Sequence, residues 1–255
     1  MTSDIRKNGN SKWTEEQLKL AFHLYCQLPF GKLDRKTPQV IKLAQMIERT
    51  PSAVAMKLVN FASLDPAIID SGRTGLSNAS VLDKKIWDEF HADWDSLTSE
   101  CENVLRRWNE TEDNAQEDYT GHTRNASVKA RIRQNFFRET VLASYQTCCC
   151  MSGVSHRRLL IASHIKPWSV DNRHRLNPRN GLCLSAIHDR AFDCGLITVR
   201  PDLTIEVSSE LKSRKDEGEQ TRHLIRLEGE KIKLPQKFQP QDEFLIWHNQ
   251  NIYKG

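Results

Sequence analysis

Long apolar runs are missing from this chain: no stretch approaches the roughly 18 residues that a membrane-crossing helix requires, so a membrane-spanning protein is not expected. The first residues, MTSDIRKNGNSKW, lack the apolar centre of a secretory signal, and a cytoplasmic address follows as the expectation. Paired CxxC clusters are absent too. Of the seven cysteines, three are consecutive, Cys148-Cys149-Cys150, and the others stand singly, which argues against a four-cysteine zinc site and, in a reducing compartment, for free thiols. Nor is there a strong excess of either charge. The 37 Lys and Arg against 33 Asp and Glu leave +4, which favours a polyanionic partner only weakly unless the positive groups share one face.

What is present is ordinary for a globular protein: 255 residues, 38% hydrophobic and 27% charged, enough for one large domain or two small ones without disulfide staples. Trp13-Thr14-Glu15-Glu16 opens like a helix start, and Leu18, Leu20, Ala21, Leu24 and Tyr25 keep helical spacing up to Pro29-Phe30-Gly31. A second periodic run covers Val40 through Ile47. Thr50 then suits an N-cap and Pro51 the first helical position of a third helix, which gives the order of a helix-turn-helix unit or of a plain helical hairpin. A loop is expected at Arg73-Thr74-Gly75-Leu76, and a further amphipathic run from Val81 to Phe90.

Composition changes at residues 109–123, where Asn109 to Asp118 is acidic and nearly free of apolar side chains, as a linker is. The expected division is therefore a helical, helix-turn-helix-like recognition domain at 1–108, the linker at 109–123 and a second domain at 124–255. The second begins with a basic helix carrying Arg124, Lys129, Arg131, Arg133 and Arg138, either a solvated face or a phosphate-contacting element.

Within this second domain, Leu159 to Ala162 reads as a strand ending at Ser163-His164. A loop follows, Asn180-Gly181 turns the chain into a strand at Leu182-Cys183-Leu184, and a helix runs to Asp193 before Cys194-Gly195. That is a ββα unit. An alternating hairpin around Pro201-Asp202, a charged loop from Lys212 to Glu219 and a closing helix from Gln241 to Tyr253 complete the chain, so the expected class is α+β.

The blocks ASHIKPW, NPRNGLCLS and HDRAFDCGLI make the ββα unit similar to bacterial HNH (ββα-metal) endonucleases of a restriction-like, HIKPW-containing subfamily. The N-terminal blocks LPFGK, RTPSAVAMKLVNFASLDP and GLSNAS resemble the helical domain that often precedes such nucleases. This resemblance implies a metal-dependent enzyme that hydrolyses DNA phosphodiester bonds, in restriction or defence against foreign DNA, with DNA as partner. A double-strand break from one such site per chain would call for a homodimer. The alternatives are a DNA-binding regulator, or an interaction protein, built on an inactive HNH scaffold.

Hydrolysing a phosphodiester takes a deprotonated water and a cation at the phosphate. The resemblance gives His164 the part of general base, for which an imidazole is suited near neutral pH. Asn180, 16 positions later, fixes the loop, and His188 completes the H-N-H reading. For the metal two readings stay open. Related nucleases hold it nine residues after the Asn, which is Asp189 here, whereas the H-N-H letters select His188, eight after it. We favour Asp189, which shares a helical face with Asp193 at i, i+4, and such oxygen ligands suit Mg²⁺ or Mn²⁺ where a His-rich set would admit Ni²⁺ or Zn²⁺. Many relatives carry Asp or His immediately before the base; this chain has Ser163. Lys166, Arg173, Arg175 and Arg190 are candidate DNA contacts. Trp168 carries the family signature without a role that the sequence assigns, and Cys149 reads as a core residue.

Overall fold

The computed structural model describes residues 12–72, 79–112, 122–214 and 218–255. The chain divides into two compact units, Met1–Glu139 and Thr140–Gly255. The first is helical and the second mixed, an α+β fold. The loop expected at Arg73 to Leu76 and most of the acidic linker, residues 113–121, lie outside the described residues, as do the side chains of Arg124, Lys129 and Arg131.

In the first unit, α1 (Glu15–Gln27) starts on a capping box in which Thr14 and Gln17 satisfy each other's backbone N–H. Helix α2 (Pro38–Met46) leads through a four-residue turn to α3 (Pro51–Ala62), where the Thr50 hydroxyl accepts from Ala53 N and Pro51 occupies the first turn. After α4 (Pro66–Asp70) come α5 (Val81–Ala92) and α6 (Trp94–Glu112). Phe22 of α1 is the hub of their core. It is fully buried, with ring centroids 4.6 Å from Phe90, 5.0 Å from Phe61 and 5.4 Å from Trp87. Lys57 ties α3 to α5, its Nζ 2.9 Å from both carboxylate oxygens of the fully buried Asp83. Lys57 is also the sole cation of α3, so the second helix of the α2–α3 pair presents only neutral side chains, Ser52 and Met56, as exposed residues.

Helix α7 (His122–Ser144) leads into the second unit. There β1 (Leu160–His164) and β2 (Gly181–Ser185) pair antiparallel from Leu160 opposite Ser185 to His164 opposite Gly181. Helix α8 (Ala186–Asp193) follows β2 without a loop and packs on both strands. The expected hairpin is present as β3 (Ile197–Val199) and β4 (Ile205–Val207). The charged loop expected from Lys212 to Glu219 runs from the end of a short α9 (Ser209–Lys212), capped by the Ser208 hydroxyl, to the start of α10 (Glu219–Ile225); its residues 215–217 are outside the described set.

Helix α11 (Asp242–Asn251) closes the unit against β3. His248 stacks on Phe192 at 3.7 Å between centroids and bonds Thr198 Oγ1 through Nδ1 at 2.8 Å. Gly195, at φ +74°, ends α8 where the C-terminal segment crosses it; a Cβ there would stand 2.0 Å from the Ile252 carbonyl oxygen. Among the described residues no helix is long and apolar enough to cross a membrane.

Candidate active site

The register of the short sheet places His164 at the last rung of β1, beside the start of the 165–179 loop. Asn180 sits opposite that loop and organises it. Its side chain is 1% exposed; Oδ1 accepts from Lys166 N at 2.8 Å, while Nδ2 donates to the carbonyls of Lys166 at 3.0 Å and His174 at 3.3 Å. The Asn180 backbone carbonyl also accepts from Ile165 N at 3.0 Å. An amide carries both donor and acceptor groups on one rigid plane, and here it closes both ends of a peptide excursion.

His164 is half-buried. Its Nε2–H donates to the Arg175 carbonyl at 2.9 Å, and since a carbonyl only accepts, the neutral ring keeps its lone pair on Nδ1. Burial moves its pKa below the ordinary histidine value, with the Arg175 carbonyl pulling part of the way back. A ring in that state is neutral at pH 7 and is a base at Nδ1.

Asp189, on α8, meets the strand at Ser163, the residue before His164. Burial raises the Asp189 pKa, and the Ser163 hydroxyl offsets part of that rise. Ser163 is itself buried, and its Oγ completes no well-directed hydrogen bond. Asp193, one turn further on, is raised by desolvation and by the Asp189 charge. Two partly desolvated carboxylates on one helical face, the second further raised by the charge of the first, are a pair that a cation would relieve.

His188 is directed elsewhere, since consecutive helical residues diverge by about 100°. It is 1% exposed; Nδ1 lies 2.6 Å from Ser185 Oγ, and the ring lies against the fully buried Cys149. Its Nε2 makes no well-directed hydrogen bond, so the Cys149 contact is a polar one rather than a formed hydrogen bond. Burial raises the Cys149 thiol, but the contacts from His188 and Ser152 outweigh it and bring its pKa to about 6. Cys149-x-x-Ser152 and Ser185-x-x-His188 thus form a buried polar knot that sequence reasoning did not foresee; the paired i, i+3 spacing was its only signal.

Residues 149–200 match the HNH endonuclease family model. The HNH segment runs from the Cys149 turn through β1, the Asn180 loop, β2 and α8 to the end of β3, so every residue just described lies within it. It spans roughly a fifth of the chain and describes the second unit alone. No curated protein matches the chain.

Of the expected DNA contacts, Lys166 turns into the HNH loop: its Nζ pairs with Asp171 at 2.9 Å and lies over Trp247. Arg175 donates from Nε to the Trp168 carbonyl at 2.9 Å. Arg173 and Arg190 are exposed. Among the described residues no three His, Cys, Asp or Glu side chains converge as a metal ligand set. The donor set fits a hard divalent ion held by Asp189 with Asp193, whose remaining ligands would be water or phosphate oxygens, better than it fits a His-rich zinc or nickel centre.

Proposed function

We propose that the protein is a divalent-metal-dependent endonuclease that hydrolyses DNA phosphodiester bonds and serves in restriction or defence against foreign DNA. The observation that carries this reading is the state of His164: a neutral imidazole, its proton held on Nε2 by the Arg175 carbonyl, one residue along β1 from the point where Asp189 meets the strand. In the proposed reaction His164 Nδ1 removes a proton from water, and the Asn180-closed loop keeps the ring oriented. Asp189, with Asp193, would hold Mg²⁺ or Mn²⁺, which supplies charge neutralisation at the scissile phosphate. In this reading the exposed Arg173 and Arg190 contact the DNA backbone, and the first unit serves target recognition.

A second reading, an HNH scaffold that binds DNA without cutting it, draws on Ser163 standing where relatives carry a metal ligand. Supercoiled plasmid incubated with the protein and Mg²⁺, Mn²⁺ or Ni²⁺, with EDTA as control, separates the two. Metal-dependent nicking or linearisation is expected. Intact plasmid under every metal, with binding that weakens steeply in added salt, would favour the scaffold instead.

A further inference from the structure

Trp168 has no part in the reaction above, yet it touches both His164 and the residue that holds His164. Its ring meets the His164 ring edge-on, with centroids 5.5 Å apart and planes at 89°. The Arg175 guanidinium carbon lies 5.3 Å from the indole centroid, while Arg175 Nε donates to the Trp168 carbonyl at 2.9 Å. The Arg175 side chain is thus held on Trp168 by a charge–ring contact and a hydrogen bond, and its backbone carbonyl is the acceptor for His164 Nε2–H at 2.9 Å. Asn180 fixes the neighbouring His174 carbonyl, so Arg175 is pinned from one side by Asn180 and from the other by Trp168.

We propose that Trp168 and Arg175 are a positioning pair: the indole seats the Arg175 guanidinium, and the seated Arg175 aims its carbonyl at His164, so that the proton stays on Nε2 and the lone pair on Nδ1. The chemistry explains both residue types. Tryptophan offers the strongest ring face for a cation. Arginine alone combines a planar, permanently charged group with an Nε–H donor in line with it; lysine keeps the charge but has neither plane nor Nε. A base presented in the wrong tautomer loses most of its catalytic value even when its position is kept.

This inference rests on His164 being the base, and its test is read on the imidazole before any DNA is added. In the full-length protein, ¹⁵N correlation spectra of the histidine rings, with His164 assigned by its loss in His164→Gln, report which nitrogen is protonated. The wild type and Trp168→Phe are expected to show the Nε2–H form. Trp168→Ala, Arg175→Ala and Arg175→Lys are expected to show mixed tautomers. In plasmid cleavage the same three variants should lose a few-fold in rate, in step with the lost Nε2–H fraction, and the acid limb of the pH profile should move to lower pH, because the Arg175 carbonyl raises the His164 pKa. A folded Trp168→Ala protein that keeps the pure Nε2–H form would overturn the proposal. Should that variant fail to fold, an unchanged tautomer in Arg175→Lys does the same. Mixed tautomers in a protein whose wild type cuts no DNA with any metal would uphold the pair and sink the nuclease reading instead.

Discussion

Asn180→Ala removes three hydrogen bonds at once from a side chain that is 1% exposed. Each is worth about 1 kcal/mol net, and leaving the Lys166 amide without its acceptor costs a further 1–3 kcal/mol if that amide stays buried. The loop can recover some of this by opening to water, so we expect a loss of about 3 kcal/mol. With a urea slope of about 2 kcal/mol per molar, the unfolding midpoint should fall by about 1.5 M at an unchanged slope. Hydrogen exchange gives the local signature: the Lys166 amide should lose protection, while amides in the β3–β4 hairpin lose only what the global change dictates. Asn180→Asp keeps an acceptor for Lys166 N but sets a buried carboxylate oxygen against the Lys166 and His174 carbonyls, and should cost at least as much as the alanine. A midpoint shift under about 0.3 M, with Lys166 protection intact, would refute the picture of Asn180 as the clasp of the loop.

Three further outcomes follow from the second unit. Burial holds the His248 pKa near 4 against 6.5 for an ordinary histidine. Below pH 6.5 the unfolded chain therefore binds a proton that the folded one does not, and stability should decline by up to about 3 kcal/mol by pH 4, where the effect levels off. Subtracting the pH profile of His248→Gln from that of the wild type isolates this contribution, and a flat difference would contradict it. Gly195→Ala should cost more than about 2 kcal/mol in urea unfolding, since it adds both a left-handed backbone penalty and a clash with the Ile252 carbonyl; a neutral result would mean that the C-terminal segment does not cross there. In calorimetric titration with Mn²⁺, Asp189→Asn should weaken binding at least tenfold and His188→Gln much less; loss in the His188 variant alone would reverse our choice of ligand.

Much of the scaffold was legible because local chemistry and tertiary structure agree. Thr50-Pro51 begins a helix by satisfying an N–H and presetting a backbone angle, and β3 and β4 alternate around Pro201-Asp202 wherever they pack. The short helices α9 and α10 were hidden by their charge, and the Ser208 cap was the available clue. At the candidate site, the family resemblance and its spacing pointed to His164, Asn180 and Asp189, but not to what holds them. The acceptor for His164 is a backbone carbonyl, which every residue possesses, so nothing in the letters marks Arg175 for that task. Lys166 and Arg175 read as candidate phosphate contacts in one dimension, and nothing in the letters names the partners they have in the fold, Asp171 and Trp168. His188 and Asp189 are neighbours in sequence and diverge in space, one to Ser185 and Cys149, the other to Ser163, a separation that only the helix sets.

The central claim is that His164 is the base of a DNA-cutting site, and it is tested most directly by His164→Ala assayed beside the wild type for plasmid cleavage with Mn²⁺ and for DNA binding at matched salt. Loss of a general base predicts a fall in cleavage of roughly 10²- to 10⁴-fold with binding kept within a few-fold. Cleavage by His164→Ala at the wild-type rate would contradict it.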